Sequence, residues 1–154
     1  MSSYFKVAIL GFCLLLLAGC FAEDYDVGVP TAHLEVNGLS IALPSSNVNW
    51  ETASENVQKT EDNLEQFALM QEEITASPNQ LVSVYFEENE QNGGDIFTDE
   101  EITITMEKDK KQTKLELTET NEFHMPLERG RYVLVVSFSS SAGNVEYIGN
   151  ILIR

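Results

Sequence analysis

The chain has 154 residues, enough for one domain with a real core. Its 25 acidic against 9 basic residues give a formal net charge of −16. That sign excludes DNA, RNA and an anionic membrane face as partners. The hydrophobic share of 43% excludes disorder throughout, and two cysteines, Cys13 and Cys20, both near the start, exclude a disulfide framework.

The chain opens with Lys6, then an apolar run from Val7 to Leu17 of signal-peptide length. Counted from Val7 to Ala22 the apolar stretch is 16 residues, short of the ~20 a spanning helix needs. It ends in "LAGC", Leu17 to Cys20, which resembles the lipobox of bacterial lipoproteins. The resemblance implies cleavage after Gly19, a new amino terminus at Cys20, and a diacylglycerol on the Cys20 thiol. Cys13 is then discarded. Two acyl chains hold a membrane far better than one. The organisation expected is a signal peptide over 1–19, a lipid-anchored tether over 20–29 and a folded domain over 30–154. The tether carries Glu23, Asp24 and Asp26, spans about 30 Å if extended, and is repelled by anionic headgroups.

In the folded part, "HLEVNGLSIAL" reads as a hairpin closed by Asn37-Gly38, both suited to positive φ. A two-residue loop pairs Val36 with Leu39, Leu34 with Ile41 and Ala32 with Leu43 on one face. His33 and Glu35 fall on the other. "NVNWE" follows, with the single tryptophan, Trp50. Thr52 to Ala76 is ambiguous: Thr52-x-x-Glu55 fits a capping box. Leu64, Phe67 and Ala68 at helical spacing predict a short helix over about Glu61–Met70.

From Glu73 the chain reads as strands. "ITASPNQLVSVYFEE" gives a strand, a Ser-Pro-Asn turn and a second strand, and "EITITMEK" alternates isoleucines with threonines. A charged turn at Lys108–Lys111 leads to "TKLELT". Then come a short strand in "NEFHMP", a longer one in "GRYVLVVSF", a turn in "SSSAGN" and a last strand in "VEYIGNILI". This cadence predicts a β-sandwich or barrel. The charge is uneven: Cys20–Glu100 holds 17 acids and one base, Lys59, whereas Glu101–Arg154 holds 8 acids and 7 bases.

"PLERGRYVLVVSFSSSAGNVEYIGNILI" resembles the closing hairpin of extracellular immunoglobulin-like domains, with Tyr132 as a tyrosine corner. With the lipobox and the "NG" hairpin, the whole is similar to small lipoproteins of Gram-positive bacteria. The resemblance implies an all-β, immunoglobulin-like sandwich with one short helical insertion, lacking the disulfide of antibody domains. It implies an address on the outer face of the cell membrane and brings no established activity.

Candidate chemistry is sparse. "EENEQNGGDIFTDEE" reads first as an acidic, solvated loop. Its alternating oxygens also fit a calcium loop, with Glu88, Glu90 and Asn92 at positions 1, 3 and 5, Gly93 at 6 and Asp99 at 12. Glu in place of Asp at the first position and the shorter Asp at the last weaken that fit. His33 and His124, the only histidines, have no metal-ligand spacing. The "SSSAG" serines lack the nucleophile-elbow pattern. Lys108, Lys110, Lys111, Lys114, Arg129 and Arg131 form a basic run diluted by Asp109 and Glu128. Trp50, Tyr85 and Phe86 suit sugar stacking, though a lone tryptophan gains more from burial. The expectation is a lipid-anchored, extracytoplasmic, non-catalytic module that binds another protein or supports envelope assembly or sensing. Calcium or glycan binding is the alternative, and a weak hydrolase the third.

Overall fold

The computed structural model describes residues 28–52, 56–88 and 99–154. The predicted signal peptide, with Cys20 and most of the tether, lies outside the described residues. Of the first described residues, Gly28 is buried and Val29 lies against the core.

Strand formation follows the alternation in the sequence. β1 (Thr31–Val36) and β2 (Leu39–Leu43) form the predicted hairpin in the predicted register, with Asn37 at φ 54° and Gly38 at φ 75°. β3 (Ser45–Glu51) and β4 (Asn56–Lys59) follow, then a helix, α1 (Leu64–Leu69), and β5 (Glu73–Ala76). β6 (Leu81–Glu87), β7 (Glu101–Lys108), β8 (Lys111–Leu115) and β9 (Glu122–His124) lead to the long pair β10 (Gly130–Ser140) and β11 (Gly143–Ile153).

Two sheets result. One has the order β2-β1-β6-β9; the other runs β4-β3-β11-β10-β7-β8, with β5 joining β11 in parallel. Between them lies one core, centred on Trp50, Leu34, Ile104, Leu134, Phe138 and Tyr147. The molecule is a β-sandwich with one short helix, as the strand cadence predicts.

The helix is shorter than the predicted span, and Asn63 caps it, accepting from the Gln66 amide at 3.0 Å; the Thr52-x-x-Glu55 capping box falls partly outside the described residues. Six residues cannot hold a helix alone. α1 persists because Leu64, Phe67 and Ala68 lie on Val133, Val135 and Ile148, on the outer face of the larger sheet. Gln71, which breaks the apolar stripe, closes the last turn by donating Nε2 to the Phe67 carbonyl.

The sandwich has two unlike ends. Thr31, Glu87, Glu101 and Gly143 lie toward the end where the chain enters β1. Val36, Leu81, Lys108, Gly130 and Ile153 lie toward the other. There Asn37 donates to the Thr75 carbonyl and joins the sheets, while the Met125 amide to Gln80 and the Arg154 amide to Ala76 extend the β6–β9 and β5–β11 pairs. At the first end the β10–β11 hairpin tip bonds to β3 through the Glu51 amide and Ala142 carbonyl at 2.9 Å.

Candidate functional site

The entry end is acidic. Among the described residues it gathers Glu51, Glu87, Glu88, Asp99, Glu100 and Glu101. Of the four calcium-loop residues, Glu88 and Asp99 flank the stretch; Glu90 and Asn92 lie outside the described residues. Glu100 Oε2 is buried with no hydrogen-bond partner among the described residues. No group of three or more His, Cys, Asp or Glu suited to a metal occurs among the described residues.

The far end is where the basic run falls, and the fold splits it. Lys108, the last residue of β7, is an internal tie: its Nζ donates to Glu128 and to the Arg129 carbonyl, and lies 5.4 Å over the Tyr132 ring. That hydrogen bond holds the Lys108 ammonium above its usual range and the Glu128 carboxyl below its own. Tyr132 donates its hydroxyl to the Glu128 carbonyl at 2.9 Å, and burial pushes the phenol up. Arg131 points elsewhere, pairing with Glu73 at 2.6 Å and donating to the buried Asn150 at 2.9 Å. Lys110, Lys111, Lys114 and Arg129 remain exposed, with no ion pair among the described residues. The turn that presents them has Asp109 at φ 53° and Lys110 at φ 64°, a tight hairpin turn made without glycine.

Beside this turn a cleft of about 470 Å³ opens between β8 and the Pro126–Glu128 segment. Its walls include Thr113, Leu115, Pro126, Leu127 and Tyr132. Leu127 is 75% exposed there, the largest exposure among the sizeable apolar side chains of the described residues.

The outer face of the smaller sheet carries a polar lattice that the sequence reading leaves unassembled. His33 stacks on Tyr85, ring centroids 4.9 Å apart and nearly parallel. Its Nε2 is 3.2 Å from Glu87 without an aligned N–H···O, and Nδ1 is 3.4 Å from Ser40. The Ser40 hydroxyl lies closer to Tyr85, at 2.6 Å. These contacts join residues of β1, β2 and β6 that face the same way, as cross-strand pairs do. Only the 33–85 and 35–40 pairings implicit in the register hint at it. His124 stands on β9, its Nδ1 3.0 Å from the Asn79 carbonyl.

The three-aromatic sugar platform does not assemble. Trp50 is fully buried and Phe86 nearly so, the latter packed on Phe138 and Tyr147, which leaves Tyr85 alone at the surface. Strand alternation sends Tyr85 and Phe86 to opposite faces.

Among the described residues no helix is long and apolar enough to cross a membrane. Comparison with family models, curated proteins and solved structures finds no match for this chain. The class defined by its own geometry is a two-sheet β-sandwich with an acidic entry end and a partly basic far end.

Proposed function

We propose that this protein is a lipid-anchored, extracytoplasmic, non-catalytic module that holds its sandwich close to the outer face of a bacterial membrane and binds another protein. The observation that carries the reading is the spacing between the "LAGC" motif and the packed body. Gly28, eight residues after Cys20, is already buried, so at most roughly 28 Å of chain separates lipid from fold. The entry end that follows is acidic, and anionic headgroups repel it, which keeps the body upright and the far end outward.

An immunoglobulin-like kinship for the sandwich is part of this proposal. Three features support it. Tyr132 bonds back to Glu128 as a tyrosine corner does, β6–β7 and β9–β10 cross between sheets, and β5 lies parallel on β11. The β1–β2 hairpin and the β3–β4 pair are additions to that plan.

Mass spectrometry of the native protein tests the anchor. The expected result is a diacylglyceryl group on an amino-terminal Cys20. Cys20→Ala, or globomycin treatment, should block processing, and the alanine variant should lose its lipid. An unmodified first residue on protein free in the medium refutes the address.

A second reading, calcium at the Glu87–Glu101 stretch, is favoured by one observation: the buried Glu100 oxygen beside Asp99 and Glu101 that has no hydrogen-bond partner among the described residues. Calorimetry with millimolar calcium decides it, and no heat of binding refutes it.

A further inference from the structure

We infer that the outer edge of β8, with the cleft beside it, takes an extended acidic segment of another protein as an added strand. This rests on the protein-binding reading above and names the partner's chemistry.

Five strands have an open side: β2, β9, β4, β8, and β5, which pairs only with β11 and takes the Asn37 side chain on its Thr75 carbonyl. β2 runs beside Gln71, Glu72 and Ile74, which share a small cleft with it. β9 has three residues and β4 four, too short to template much. β8 has five, four of them exposed, and among the described residues no backbone bond reaches it from its outer side.

Register says which groups are free. Lys108 and Lys111 close a two-residue hairpin, so they exchange both ladder bonds, and the pattern alternates from there. Lys111, Thr113 and Leu115 therefore bond inward to β7. Gln112 and Lys114 direct amide and carbonyl outward, a pattern that an incoming strand completes.

Side chains set the chemistry of that strand. Lys111 and Lys114 lie on β8, which carries no acid, Lys111 on the cleft side and Lys114 on the opposite face; around them Lys110 and Arg129 stand against Glu107, Asp109, Glu116 and the Lys108-tied Glu128. Opposite charges across a strand pair stabilise it, whereas a second copy of β8 would bring together two strands that each carry two lysines and no acid. The occupant is thus a foreign acidic strand. Alternate positions of that strand face the cleft, where Leu127, Leu115 and Pro126 offer apolar contact. The sequence pattern that fits is acidic residues alternating with medium-sized aliphatic ones.

The test uses the full chain and a seven-residue fluorescent peptide alternating glutamate and valine. Controls are the same peptide with lysine for glutamate, the glutamate peptide N-methylated at alternate bonds, and long-chain polyphosphate. The glutamate peptide should bind and the lysine peptide should not. Lys114→Glu, on the face that the peptide's glutamates take, should weaken binding several-fold or more at unchanged Tm, because the side chain is exposed. Gln112→Pro removes an outward amide without breaking the ladder and should weaken binding several-fold. N-methylation should do the same with no change to the protein. Equal binding of both peptides overturns the inference. So does indifference to the charge reversal, or polyphosphate binding as tightly while N-methylation has no effect. If cross-linking in cells traps a protein on another face only, the β8 assignment falls and the protein-binding reading stands. A Cys20 without lipid leaves this peptide binding unchanged.

Discussion

The two ends of the sandwich are held by different physics. At the entry end, Gly143 sits so close to β3 that an added Cβ would lie 2.1 Å from the Asn49 carbonyl oxygen and 2.8 Å from the Trp50 Cα. The buried Trp50 ring closes the core beside it, 6.3 Å from Phe138. At the far end the corner is tied by polar contacts: Lys108 to Glu128 and Arg129, Tyr132 to Glu128, Arg131 to Glu73. Close packing is indifferent to salt and pH, whereas exposed ion pairs are not. The contact of the hairpin tip with β3 is therefore the one that conditions leave unchanged. The tie at the far end is adjustable.

Breaking the packed end should cost most. Trp50→Ala removes a fully buried ring and should lower unfolding free energy by about 3–5 kcal/mol, read from urea melts. Gly143→Ala should cost about 3 kcal/mol or more, since the methyl group meets backbone and φ is 149°, a value side chains rarely adopt. A Gly143→Ala protein as stable as the parent would show that β3 does not press on the hairpin tip.

The contrast also explains what the sequence discloses. The β1–β2 register is legible to the residue, because Asn37-Gly38 sets the turn and the apolar alternation agrees with it. Trp50 in the core follows from ring size. What stays hidden depends on contacts between distant segments. β4 is a four-residue strand whose half-buried Val57 pairs with Trp50, and no local pattern distinguishes it from a loop. The docking of α1 has a signal that is easy to pass over. "YVLVVSF" and "YIGNILI" are apolar on both faces, which means that both faces are covered. Val135 and Ile148 are the residues under the helix.

The basic run shows the same limit at the candidate site. Six cations within Lys108–Arg131 look like one patch in the sequence. Strand register separates them: Lys108 turns to Glu128, Arg131 to Glu73 and Asn150, Lys110, Lys111 and Lys114 stay at the β7–β8 turn and along β8, and Arg129 stands just before β10. Charge counts carry no information about which cations are already spent. The empty outer side of β8 is likewise a property of topology, visible once β7 is known to pair with β10 on its other side.

Breaking the far end should cost less, in two steps. Tyr132→Phe keeps the ring beneath Lys108 and deletes the hydroxyl bond to the Glu128 carbonyl. A loss of about 1 kcal/mol is expected, with the far-end amides near Glu128 and Gly130 exchanging hydrogen faster than those near Gly143.

Glu128→Gln should give the smallest effect, and its pH dependence is the informative part. The Glu128 carboxyl is held below its ordinary 4.5, so its stabilising contribution is present above that value and fades as pH falls through the lower, folded one. The Lys108 ammonium is held above its ordinary 10.5, so its contribution is complete below that pH and fades as pH rises past it. The Tm gap between parent and Glu128→Gln should therefore be flat between about pH 5 and pH 10 and close on both sides. Added salt should narrow it throughout the plateau, since both groups reach solvent. The Gly143→Ala gap should show neither trend. If the two gaps vary alike with pH and salt, the ends are not held differently, and the far end loses its claim to be the adjustable one.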